Sequence, residues 1–285
     1  PRWALKWPAV PNLRLIHDNA ADRATSLAAS TTAGALVAAY MQNDLKGQAH
    51  RSTGTSVSYT LTWTGGETVG GVALPATNLS ASATIRVRLY SDTGGTTLIA
   101  DSGAVYACPG LNLGLWNWAL PLNGNAFAYG GASKSAVWFA SHYFARRCVI
   151  DLVDSGNAAG YIDCARLVVG AYWEPARNAS YGAQVSVVDR TSNSRNDAGD
   201  NLSDRGTQHD TLALSLDYLG EADRARLMQI MRNAGTARNV FVSLLPASAS
   251  PVAEQDSMIY GKRANAAMSF DHYAVFSNKI DIEGW

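Results

Sequence analysis

The sequence predicts a mainly β protein: an antiparallel β-sandwich over residues 51–175, then a β-rich α+β domain over 176–285 with one flanking helix. Three observations carry this. Short stretches of strict polar–apolar alternation, bounded by glycine turns, recur through the first region. In the second region the order is strand, long polar stretch, strand, helix, strand, strand, strand. One stretch of the chain combines helical spacing with fitting charges at both ends.

Residues 1–50 open with Trp3, Trp7, Pro8 and Pro11, which disfavour a helix. A stretch rich in Ala, Ser and Thr follows. Leu36, Val37, Tyr40 and Met41 fit one face of a short helix or a strand, and the pattern does not choose between them. Asn43-Asp44 and Gly47 then read as a turn.

Ser56–Trp63 alternates with period two, the signature of a half-buried strand, and Thr64-Gly65-Gly66 is expected to end it. Val69–Pro75 reads as a strand interrupted by glycines. Ala83–Tyr90 alternates again, with Ile85, Val87 and Leu89 on one face and Arg86 and Arg88 on the other. Asp92-Thr93-Gly94-Gly95 turns the chain into Thr97–Asp101. Further strands are expected at 136–142, 146–153 and 161–173, the last two joined by Asp154-Ser155-Gly156-Asn157.

In the last region Ala183–Asp189 reads as a strand. Residues 190–206 hold almost nothing apolar and form a long polar loop or an extended hairpin. Thr211–Tyr218 alternates through Leu212, Leu214 and Leu216. The helix runs from Glu221 to Asn233, with Glu221 and Asp223 in its first turn, Arg232 in its last and Gly235 just past its end. Strands follow at Asn239–Leu245, Met258–Met268 and His272–Ile282, with a turn at Ser269-Phe270-Asp271.

Composition bounds the function. The chain has 285 residues, 47% of them hydrophobic, enough for two domains or one large all-β domain. Charged residues are 16%, and 23 basic side chains balance 23 acidic ones. No global field attracts nucleic acid or an anionic membrane. Zero net charge also adds little solubility through self-repulsion, which favours life inside an assembly. No apolar run reaches the roughly 18 residues of a membrane-spanning helix. The chain opens on Pro1-Arg2-Trp3 rather than an apolar signal segment, as expected of an aminopeptidase-trimmed cytosolic product. Cys108, Cys148 and Cys164 are odd in number and show no Cys-x-x-Cys spacing, so they are expected as small buried apolar residues.

Catalytic motifs are sparse, and no enzyme, metal or cofactor is expected. None of the five histidines forms an i, i+4 pair for zinc, and there is no Gly-x-Ser-x-Gly elbow or Walker loop. Gly65-Gly66 with Gly70-Gly71 does not open a helix and offers no anion cradle. Asp197, Asp200 and Asp204 lack EF-hand spacing. Asp151 with Asp154, or Asp163 with Glu174, are carboxylates that glycosidic cleavage could use if correctly separated. Arg86 and Arg88 are a possible anion site on a strand face. Binding chemistry has better candidates. Trp116-Asn117-Trp118 joins aromatic faces to an amide, the set that grips a sugar ring by stacking and hydrogen bonding.

The run Leu74–Asp92, followed by Leu98–Gly103, resembles tail proteins of long-tailed bacteriophages, where it belongs to a galactose-binding-like β-sandwich. Gly160–Gly170 with Trp173-Glu174-Pro175 resembles the end of that module. Leu214–Leu219, Glu221–Leu227, Val240–Leu244 and Ile259–Lys262 resemble the closing domain of tail-tip and baseplate proteins, distal tail proteins among them. The resemblance implies a ring or adaptor, typically hexameric, at the distal end of the virion tail, assembled in the bacterial cytoplasm. Its partners are other copies, the tail tube, tape measure, baseplate hub and fibres. Arg195, Asn196, Asp197, Asp200, Asn201 and Arg205 of the polar stretch are then candidates for contacts between subunits. In well-known distal tail proteins the ring domain precedes the sandwich. Here the order is reversed, with residues 1–50 as a segment able to complete the ring domain. The alternative is a carbohydrate-binding module that touches a host surface glycan.

Overall fold

The computed structural model describes residues 11–110, 125, 127, 131–247, 251–264, 269–272 and 275–285. Strands account for 48% and helices for 12%, so the chain is mainly β. It divides into two compact units. The first holds 1–174 and 241–258, the second 175–240 and 259–285.

The first unit contains β1 (Arg14–Ile16), β2 (Ser26–Ala29), β3 (His50–Arg51), β4 (Ser56–Thr77), β5 (Thr84–Tyr90), β6 (Leu98–Asp101), β7 (Val105–Tyr106), β8 (Ser133–Val153), β9 (Asp163–Cys164) and β10 (Val168–Gly170). Nine of these, β2 to β10, form one sheet with the path β3-β9-β4-β8-β5-β6; β2 and β10 also join β4, and β7 joins β5. The axis is the antiparallel pair β4 and β8, strands of 22 and 21 residues.

The glycines expected to end a strand at 64–66 instead bend it. Between the pairs Thr62–Arg147 and Glu67–Ala145, four residues of β4 face one of β8, a bulge. Gly66 sits there at φ +78°, and a Cβ on it would lie 2.6 Å from the Phe144 ring. Before the bulge, burial alternates through Val57, Tyr59, Leu61 and Trp63. Beyond it, β4 is buried continuously from Val69, as a strand covered on both faces must be. The same bulge joins the expected strands 136–142 and 146–153 into β8.

Ile85, Val87 and Leu89 point into the core with Leu61, Val72, Leu74, Ile150, Leu152 and Leu167, each no more than 1% exposed. Each such side chain contributes roughly 1.5–3 kcal/mol on burial. The three cysteines are buried and free, and burial pushes the Cys108 and Cys164 thiols up to about 12.

The strand expected over 161–173 is two short pieces. Between them Leu167 donates its backbone N–H to Met41, and Arg166 turns inward to two aspartates. The undecided stretch at 36–41 is a short helix over its second half only. Ala38–Gln42 is a 3-10 helix that buries Met41 and leaves Val37 43% exposed. Residues 241–243 pair with β1, in register Arg14–Ser243 to Ile16–Phe241.

The second unit holds β11 (Gln184–Asp189), β12 (Ser192–Arg195), β13 (Asn201–Asp204), β14 (Gln208–Leu219) and α1 (Glu221–Ala234). β15 (Asn239–Ser243) and α2 (Pro251–Asp256) follow in the chain. Then come β16 (Met258–Arg263), β17 (Ser269–His272) and β18 (Val275–Gly284). The sheet order is β16-β18-β14-β11, with β17 on β18 and β12 paired only with β13 among the described residues. α1 buries Leu227, Ile230, Met231 and Ala234, and Gly235 closes it at φ +55° with its N–H on the Met231 carbonyl. Sequence alternation missed α2. It also placed a turn at 269–271, where β17 runs; β16 ends at Arg263, and residues 265–268 of the expected strand lie outside the described residues.

Candidate functional site

The clearest unpaired surface among the described residues is the hairpin of β11 and β14. β11 ends the sheet. From 184 to 208 every residue is exposed except Thr191 and Gly206, which are half-buried. Val185, Val187 and Val188 are 45%, 64% and 38% exposed. An edge strand with unpaired backbone groups and exposed valines is a template for another strand.

The hairpin continues past the sheet as β12 and β13, and local bonds hold it. Asn193 accepts from Ser203 Oγ at 2.6 Å, and Gly206 N–H donates to Thr191 Oγ1 at 3.2 Å. Thr191 and Gln208 donate to the Asp189 carboxylate, which lowers its pKa to about 2. The structure brings four expected contact residues together at the tip. Asn196 Nδ2 donates to Asp200 at 2.9 Å, Asp200 N–H returns a bond to Asn196 at 2.8 Å, and Arg195 pairs across the ladder with Asn201. Asp197 is exposed in the same turn, and Arg205 is exposed at the other end of the ribbon, just past the Ser192–Asp204 pair. Sequence reading found this polar stretch but not the exposed valines. Nothing in Ala183–Asp189 marks them, since a valine on a free edge carries the same sequence signal as one in a core.

One face of the same sheet carries a hollow of about 370 Å³, lined in part by Ser186, Arg190, His209 and Glu283. Glu283 stands between Arg190 Nη2 at 3.1 Å and His209 Nε2 at 3.4 Å. A second, of about 240 Å³, lies by Tyr181 and Lys279.

Trp116, Asn117 and Trp118 lie outside the described residues. The two stems of their segment are described. Asn125 Nδ2 donates to the carbonyls of Leu79 at 2.9 Å and Cys108 at 3.3 Å. Within two residues of this clamp stand two exposed rings, Tyr106 at 68% and Phe127 at 38%.

The carboxylates that glycosidic cleavage would need are engaged elsewhere. Asp151 pairs with Arg88, Asp163 with Arg51 and Glu174 with Arg14. Asp154 is fully buried and accepts from Ser80 and Asn157. Arg86 pairs with Asp101, so neither Arg86 nor Arg88 has a guanidinium free for an anion. Among the described residues no group of His, Cys, Asp and Glu is arranged to hold a metal. No described helix is long and apolar enough to cross a membrane.

No protein-family model matches the sequence, and no curated protein does. Solved structures do. A chitosan-binding module of a chitosanase/glucanase from Paenibacillus sp. IK-5 is 16% identical with a TM-score of 0.40, covering 54% of this chain and 100% of its own. A fucose-binding module of Streptococcus pneumoniae is 13% identical at 0.36, covering 58% and 99%. A Clostridium perfringens module bound to GalNAc-β-1,3-galactose is 12% identical at 0.37, covering 54% and 100%. At such scores the likeness carries no argument about ligand or activity.

Proposed function

We propose that the chain is a structural, self-assembling component of a bacteriophage tail tip, of the distal-tail kind that its sequence resembles. The observation that supports this reading is the exposed edge strand β11 with its projecting hairpin. A two-stranded ribbon without a core is marginal by itself. Three exposed valines on an open edge are a liability in a free protein and an asset in an assembly. Balanced charge points the same way. Arg195, Asn196, Asp197, Asp200, Asn201 and Arg205 then face a neighbouring subunit. The solved structures named above are not tail proteins, and the reading rests on the sequence resemblance and on this surface. The test is the mass of the purified chain over a range of concentrations. A closed oligomer, six copies first, is expected; a monomer at every concentration overturns self-assembly.

A second reading has its own observation. Tyr106 and Phe127 are exposed within two residues of the Cys108–Asn125 contact, and in the sequence the stretch between them carries Trp116, Asn117 and Trp118. Such rings stack on sugars. Titration calorimetry of the full chain against fucose, Lewis b and galactose-containing disaccharides tests it. Binding that is lost in Trp116→Ala and Trp118→Ala supports a carbohydrate-binding role, and no heat with any of them removes it.

A further inference from the structure

Arg263 is 2% exposed, and its Nε, Nη1 and Nη2 have no hydrogen-bond partner among the described residues. Its place in the sheet explains why. Arg263 pairs with Ile282, Ile282 with Leu212, and Leu212 with Val185, so one face of this rung carries Arg, Ile, Leu and Val. The adjoining rung on that face sets Gly261 opposite Gly284, so its nearest side chain is that of Asp210, two strands away on β14. The two acids next to its register partner, Asp281 and Glu283, both point to the other face. Burial lowers the Arg263 pKa, and among the described residues no carboxylate acts to raise it back. A guanidinium cannot escape by losing its proton at ordinary pH. A buried charge of this kind needs a counter-charge with matched hydrogen bonds.

We propose that Arg263 is an oxyanion site, taking the two oxygens of a carboxylate or phosphate group on its planar fork. The chemistry is that of a bidentate guanidinium–oxyanion pair. The oxyanion is either free in solution or a carboxylate of a second copy of the chain. The site is independent of the assembly reading above.

Thermal melts of the full chain at fixed pH and ionic strength test it, with sodium phosphate exchanged for sodium chloride. A free oxyanion raises the wild-type Tm along a saturation curve, by roughly 5 °C at a hundredfold excess over Kd. A carboxylate from a second copy instead makes Tm rise with protein concentration at constant phosphate. In either case Arg263→Met abolishes the dependence, and Arg263→Lys, which keeps the charge but not the fork, weakens it at least tenfold. Arg263→Met removes an unpaired charge, so it is expected to fold. Should it not, Arg263→Lys carries the test alone. A wild-type Tm indifferent to both phosphate and protein concentration overturns the proposal. So does a dependence that survives in the variants unchanged.

Discussion

Arg166 grips Asp22 with both arms of its guanidinium: Nη1 and Nη2 lie 2.7 Å from the two carboxylate oxygens. The arginine is 1% exposed and 144 residues away in sequence. Its Nε reaches Asp44 at 3.0 Å, and Nη1 also donates to the Met41 carbonyl at 3.2 Å. One side chain thus fastens the N-terminal segment to the strands between 163 and 170. Arg166→Met takes the guanidinium away from two carboxylates, of which Asp22 keeps the Asn19 amide. We expect a loss of about 3 kcal/mol in chemical denaturation, at the lower end for buried pairs because both aspartates keep some water contact. Asp44→Asn, which breaks the more exposed contact, is expected to lose under about 1 kcal/mol.

A second fastening joins Trp138 to Glu254. The indole N–H donates to Oε1 at 2.8 Å, Ser243 Oγ lies 3.3 Å from the same oxygen, and Ala247 N–H donates to Oε2 at 3.0 Å. Burial raises the Glu254 pKa, opposed by these three bonds and by the charge of Arg14. An acid whose folded pKa is raised takes up its proton in the folded state first. Stability from this group is therefore lowest above that pKa and increases as pH falls through it to the unfolded value, near 4.5. Glu254→Gln keeps an acceptor and removes the charge, so it is expected to be near neutral at pH 7 and to flatten this limb of the pH profile. Glu254→Ala orphans the Trp138 and Ala247 donors, and we expect it to lose about 2 kcal/mol. Equal losses in the two variants contradict this account.

The elements legible in the sequence were those in which one face is buried and the other wet. Ile85, Val87 and Leu89 against Arg86 and Arg88 marked β5 within a residue, and Glu221 to Arg232 marked α1. Where a strand is covered on both faces the reading was coarser: Val69–Pro75 was read as a strand, but separate from Ser56–Trp63. There Val69 to Thr77 carries no alternation, and the glycines look like punctuation. β1 and β2 were missed because three or four residues cannot show a period, and their partners lie far away in sequence. For the candidate site, the polar hairpin was visible as composition. The exposure of Val185 and Val187 was not, because a valine on a free edge reads the same as one in a core.

Gly71 shows what those glycines are for. A Cβ there would lie 2.6 Å from the Trp138 ring and 3.3 Å from Ile16 Cδ1. Trp138 is held on its other sides, by Glu254 and by the edge of Tyr172 at 5.6 Å between centroids. The ring cannot yield without breaking one of these contacts. Gly71→Ala is expected to destabilise by about 2 kcal/mol in urea titrations. Gly47→Ala, with nothing within 4 Å, is expected within about 0.5 kcal/mol of wild type. A harmless Gly71→Ala would show that the ring has room to move.

Asp101 sets an acid-side expectation. Arg86 is the first cause that lowers its pKa to about 2, followed in the same direction by the backbone N–H of Gly103. An acid depressed in the folded state stabilises fully above its unfolded pKa, near 4, and loses that contribution as pH falls to about 2. Arg86 is 46% exposed, so water screens the pair and the contribution is small. Asp101→Asn is therefore expected to reduce the urea midpoint slightly at pH 6 and to converge on wild type near pH 2. A gap that persists at pH 2 assigns the effect to shape rather than charge.

Val187 is the residue through which the assembly reading is most directly tested. It is 64% exposed on β11, beyond which the described residues place no further strand. A lysine side chain at that position keeps the backbone and adds a charge that is readily solvated in the free chain. In a neighbour's strand interface the same charge is desolvated without a partner. Val187→Lys is expected to leave the melting of the isolated chain within about 0.5 kcal/mol of wild type, as a surface change should. The same substitution is expected to shift the mass distribution toward monomer by roughly tenfold or more in concentration, since natural sheets block edge pairing with lysine. An oligomer that forms equally well in the Val187→Lys variant would place the subunit contact elsewhere, and the hairpin tip at Asn196 and Asp200 would be the next surface to charge-reverse.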